Sequence, residues 1–297
     1  MPSAGIQDEG SLNEGPFNLD SAPKGVATDS YSGFRRIVNE IPKYGYVPLI
    51  DALWNDIVVA NHPHTRIPDP AERKEAHLSF RRFSGITLCT MGDELVQLLG
   101  SGNIAKAVKS ARASGGNSLT QRLDELERIS RTAPSIYVMQ LGDGNGEAPS
   151  ANLLLQMAGC ALDYVDTPSP ETNVMAATLD EAMSSDWEKS SSDAGLRSLT
   201  VGNNGMHSQT KSKTIRDWAI GLVNRYEHIP ADNRHLPVEM SSYYSGKADN
   251  ALIRLDQHAG GDLTSIMVRF TTAWMYVNAG GRYKFHGSVV CPVGEAA

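Results

Sequence analysis

Apolar and polar positions follow one period in the first part of the chain and another in the second, and the change divides it. Between Tyr31 and Asn61, Phe34, Ile37, Val38 and Ile41 fall on one helical face. After Pro42 and Pro48 interrupt the pattern, Leu49, Ile50, Leu53, Trp54 and Ile57 form another. Residues 91–113 and 118–130 also read as helices, with breaks at Gly100, Gly102 and the Gly115-Gly116 pair. Residues 29–133 are therefore expected to form a mainly α-helical N-terminal region. Residues 1–28 hold Ser, Gly, Glu, Asp and Pro with few large apolar side chains, too few to offset ordering entropy, and are expected to be a disordered arm.

From Pro134 onward short apolar runs alternate with helical stretches. Ile136 to Leu141 has the length and composition of a buried strand. The turn Gly142-Asp143-Gly144-Asn145-Gly146 follows, then a helix entered at Pro149 and Ser150 with Leu153, Leu154, Met157 and Ala158 at helical spacing. Gly159 reads as its stop, and Cys160 to Val165 as a second strand ending at Asp166. Three more strands are expected, at Leu196 to Val201, Ala251 to Leu255 and Arg282 to Val290, with helices at 171–187, 215–226 and 263–277 between them. Right-handed crossovers would join the five strands into one mostly parallel sheet with helices on both faces. The expected fold class is thus α/β, a Rossmann-like core over residues 134–297. Ligands in such sheets bind at the carboxyl ends of the strands, where Gly142 to Gly146, Asp166, Asn203 and Asp256 fall.

Composition narrows the classes of function. A chain of 297 residues that is 40% hydrophobic can bury one large core or two smaller ones. A net charge of -7 argues against broad electrostatic attachment to nucleic acid or an anionic membrane. No apolar run reaches the roughly 18 residues of a membrane span, and no basic-then-apolar leader opens the chain, so a cytoplasmic location is expected. Cys89, Cys160 and Cys291 are odd in number and far apart, which suits inert thiols in a reducing compartment. His62 and His64 lack a third ligand at suitable spacing, so no metal is expected. Phe80-Arg81-Arg82-Phe83 mixes basic and aromatic residues, and a half-buried element with solvated arginines explains it better than RNA contact.

The glycine turn carries the chemistry. A dinucleotide fingerprint would place Gly or Ala where Glu147 stands, and a P-loop would need Gly-Lys-Ser/Thr after the glycines. An apolar strand followed by G-x-G-x-G resembles the first motif of the class I S-adenosylmethionine-dependent methyltransferases. The resemblance implies that Gly142, Gly144 and Gly146 lie against the methionine part of S-adenosylmethionine, and that Asp166, about twenty residues on, holds the ribose. It places Asn203 or Asn204 beside the adenine and Asp256 near the methyl-transfer centre. His258, two residues past Asp256, is the candidate base, and Lys284 and His286 on the last strand are within reach of the same centre. The expected acceptor is a small molecule. RNA stays open because Asp256 and Lys284 fit two places of the catalytic tetrad of cap-methylating relatives. Gln140 stands where the family often carries an acid, and no room remains for the family's two last strands. Two other classes therefore stay in view: an inactive methyltransferase-like binding or regulatory subunit, and a helical structural or nucleoprotein-type subunit. A homo-oligomer is compatible with each.

Overall fold

The computed structural model describes residues 37–39, 41–55, 70–102, 104–166, 170–183, 196–202, 205–239, 241, 243–259 and 265–293. The arm 1–28, the His62 to His64 loop and Asn203 lie outside the described residues.

The described residues open with a helical layer: α1 (Ile41–Tyr44), α2 (Val47–Trp54), α3 (Pro70–Met91), α4 (Asp93–Ser101), α5 (Ile104–Ser114) and α6 (Ser118–Ile129). Within residues 91–113 the expected break at Gly102 is present, with φ of 73°, α4 runs on through Gly100, and Gly92, with φ of 83°, adds a break of its own where an L-residue would be strained. Asn117 opens α6, its side chain accepting from the Thr120 N–H at 2.8 Å.

Strand β1 (Ser135–Gly142) follows and is buried along almost its whole length. It forms the centre of a three-stranded sheet in the order β2-β1-β3, where β2 is Tyr243–Ala248 and β3 is Lys284–Pro292. Both neighbours run antiparallel to it, with Ser135 opposite Ala248 on one side and Gly142 opposite Lys284 on the other. Among the described residues the remaining α-helices are α7 (Ala151–Val165), α8 (Pro170–Met183), α9 (Gln209–Tyr226), α10 (Ala251–Ala259) and α11 (Ile266–Ala279).

This architecture overturns the Rossmann-like expectation: among the described residues the sheet has three strands, all antiparallel, in place of about five mostly parallel ones. Two expected strands are helix. Cys160 to Val165 completes α7, whose buried positions Ala151, Leu154, Met157, Ala158, Ala161 and Tyr164 keep one helical face throughout. Gly159 does not stop this helix; its cost of about 1 kcal/mol in a helix interior is offset by the packing of that face. Ala251 to Leu255 opens α10, and Leu196 to Val201 is a turn in which Val201 bridges His207. The strand β2 occupies a stretch expected to be a connection.

Two apolar cores meet the sheet. One gathers Leu95, Val108, Leu123 and Leu126 from the helical layer with Tyr137 and Val138 of β1, Ala251 of α10 and Val290 of β3. The other joins Leu154, Tyr164, Leu179, Ile215, Phe270 and Trp274 from α7, α8, α9 and α11 with Leu141. The helical layer thus shares its core with elements from the far end of the chain.

Candidate functional site

At the end of β1 the glycine turn folds back on the helical layer. Asp143 organises it: its Oδ1 accepts from the N–H groups of Asn145 and Glu147, both at 2.9 Å, and its own N–H donates to the Glu147 carbonyl at 2.8 Å. Burial raises the Asp143 pKa, but these two backbone donors and Arg282 outweigh it and hold the carboxyl below its ordinary value. Gly146 has φ of 79°, and a Cβ there would lie 2.6 Å from the Ala105 carbonyl carbon and the Lys106 nitrogen. The turn is therefore pressed against the first residues of α5. Lys106 also pairs with Glu147 at 2.6 Å.

Gln140 completes this junction. It is 3% exposed, its Oε1 accepts from the Ala105 N–H at 2.8 Å, and its Nε2 donates to the Gly102 carbonyl. It satisfies one of the free N–H groups at the start of α5 together with the carbonyl that ends α4. The residue that departs from the methyltransferase pattern is thus a clamp between a strand and two helix ends.

The sequence candidates divide among separate places. Gly142 pairs with Lys284, whose side chain is exposed, and His286 Nε2 donates to the Asp143 carbonyl at 2.7 Å. Burial lowers the His286 pKa, against the pull of that carbonyl, and Lys109 and Lys284 lower it further. Gly144 is exposed with open space around it. Asp166 sits at the far end of the 15-residue α7, about 22 Å along the helix from the turn, and pairs with Arg216 at 2.6 Å.

His258 is also remote. It lies in α10, 7% exposed, with Nε2 2.9 Å from the Tyr137 hydroxyl, and Tyr137 is five residues, about 17 Å of strand, from Gly142. Burial first, then Arg254, lowers the His258 pKa, and burial raises that of Tyr137. Its Nδ1 is buried without a hydrogen-bond partner. Asp256 is exposed, and a spacing of two residues on a helix turns it away from His258. One wall of a cavity of about 120 Å³ is His258; Met183, Val268, Arg269 and Thr272 line the rest. That volume is well below the 300–1,000 Å³ of ordinary ligand pockets. Among the described residues no group of three or more His, Cys, Asp or Glu side chains is placed to hold a metal, and no helix is long and apolar enough to cross a membrane.

One surface feature lies apart from all the sequence-predicted site residues. The inner face of α3 is fixed to α2: Arg81 Nε donates to Asp51 at 2.7 Å, His77 Nε2 lies 3.2 Å from the same carboxylate, and Trp54 stacks on His77 at 4.8 Å. Burial raises the Asp51 pKa, but Arg81 and His77 bring it below its ordinary value. The outer face leaves Leu78, Phe83 and Ile86 57%, 58% and 55% exposed. Phe80-Arg81-Arg82-Phe83 is split by this geometry, with Phe80 against Trp54 and Arg81 on Asp51, while Arg82 and Phe83 face out. Helical periodicity read through residues 70–91 is the signal that would have found this face.

No family model, no curated protein and no solved structure matches this chain.

Proposed function

We propose that this chain is a structural subunit that works by assembling with other copies of itself. The outer face of α3 carries this reading: three large apolar side chains stay mostly in water on a 22-residue helix whose opposite face is anchored. Covering the part of each that remains in water gains roughly 1–1.5 kcal/mol, and exposed apolar surface of this kind marks places where proteins meet partners.

The alternative with S-adenosylmethionine, a small-molecule acceptor or RNA drew on a strand-turn-helix-strand unit. With α7 continuing through Cys160 to Val165, the acid that was to hold the ribose stands at a helix end and faces Arg216. Gly142 and Gly146 serve an internal contact, Gly144 faces water, and Lys284 and His258 lie in separate places. The support therefore moves from the enzyme to the structural subunit.

Sedimentation velocity over an about 100-fold range of concentration tests the reading. Species of at least twice the chain mass should grow with concentration, and the double substitution Phe83→Glu/Ile86→Glu should shift them toward monomer. A monomer at every concentration would overturn the reading. Saturable binding of S-adenosylmethionine in calorimetry would restore the enzyme.

A further inference from the structure

The stripe on α3 also carries a charge pattern. At 3.6 residues per turn, Ala71, Glu75, Leu78, Arg82 and Ile86 fall along one line of the helix, and all five are exposed. Phe83 flanks this line. The acid lies toward the N-terminal end and the base toward the C-terminal end.

We propose that α3 pairs with α3 of a second copy, antiparallel, about a two-fold axis that passes between Leu78 and Ser79. This inference rests on the assembly reading above. A parallel pair would set Glu75 against Glu75 and Arg82 against Arg82, which repel. The antiparallel pair sets Glu75 of each copy beside Arg82 of the other, twice in one interface. The same axis puts Ala71 opposite Ile86, a small side chain facing a large one, and brings the two Leu78 side chains together at the centre. The contact extends over about 22 Å of each helix. It is isologous, so it closes at two copies and each copy contributes the same residues. The inner face of α3 is held by Asp51 and Trp54, which fixes the rotation of the helix and keeps the stripe outward.

The test is a charge exchange on the full-length chain, read by sedimentation equilibrium, with far-UV circular dichroism to confirm that each variant folds. Glu75→Arg and Arg82→Glu alone should each weaken dimerisation about tenfold or more, since each turns both attractive contacts into repulsions. The double variant Glu75→Arg/Arg82→Glu restores opposite charges across the axis and should bring dimerisation back near wild type. Assembly that is indifferent to both single substitutions, or a double variant no better than the singles, would overturn this arrangement and leave self-assembly standing. A wild-type chain that stays monomeric would overturn the assembly reading itself.

Discussion

The glycine turn gives the sharpest test of the physical account, because its glycines have unequal reasons to be glycine. Placing Ala at Gly146 asks an L-residue to hold φ of 79°, which costs about 1–2 kcal/mol. It also sets a methyl group 2.6 Å from the backbone of Ala105 and Lys106, where real Cβ atoms are essentially never found. Backbone atoms cannot rotate aside as a side chain does, so the start of α5 must shift. That shift strains the Gln140 clamp as well, and overpacking of this kind costs about 1–3 kcal/mol. Gly146→Ala should therefore lose about 2–5 kcal/mol of stability. At Gly144 a Cβ meets nothing within 4 Å, and the residue is not among the positive-φ glycines. There Ala should be neutral or stabilising by up to about 1 kcal/mol, through a less free unfolded chain. Urea unfolding followed by tryptophan fluorescence and circular dichroism measures both variants. Equal losses at the two positions, or a Gly146→Ala loss below about 0.5 kcal/mol, would refute the reasoning.

Two further outcomes follow from buried polar groups. Asp180 is fully buried and accepts from the Tyr164 hydroxyl at 2.5 Å and the Ser198 N–H at 3.0 Å, so Asp180→Ala should cost about 1–4 kcal/mol by leaving one buried and one part-buried donor without this acceptor, read as a fall in the urea midpoint. His258 and His286 both titrate below the ordinary histidine value of 6.5 in the folded chain, so the unfolded chain binds more protons just beneath that value. Stability should be full above it and decline as pH falls toward the folded-state values; a urea midpoint lower at about pH 5.5 than at about pH 7.5, with a smaller drop in His258→Gln, is the expected result, and no drop would refute it.

How much of this fold the sequence could disclose depended on whether an element's own side chains decide its state. Strand β1 was legible because it is buried almost end to end, which writes an unbroken apolar run. The helix opened by Ser150 was legible too, its side chain accepting from the Leu153 N–H at 3.3 Å, whereas the start of α9 at the Ser208 cap was not, because no large apolar residue follows until Ile215. The run Cys160 to Val165 was not, because six apolar-rich residues fit either period and Gly159 suggested a stop. Strand β2 reads Tyr-Tyr-Ser-Gly-Lys-Ala, with no alternation to mark it. Its pairing is set by the open edge of β1, and its Gly246 answers to a neighbour distant in sequence, since a Cβ there would lie 2.4 Å from the Tyr137 hydroxyl. Nor does an apolar run state its direction, so parallel and antiparallel sheets were equally compatible with the pattern.

The role of the glycine turn was hard to read for a related reason. Glycine spacing reports that something approaches the backbone closely, and sequence alone does not say whether that is a ligand or another part of the chain. Here it is the start of α5, and the residue that distinguishes the two cases is Gln140. A lone amide inside an otherwise apolar strand has to satisfy both its donor and its acceptor when buried. In this chain the partners are the Gly102 carbonyl and the Ala105 N–H, two groups that helix ends leave free. Gln140 stands where the methyltransferase motif often carries an acid, yet a buried amide beside a glycine turn points as directly to a nearby helix junction. Gln140 and Gly146 hold the same contact from its two sides, so the chemistry that suggested a ligand is used to join the helical layer to the sheet.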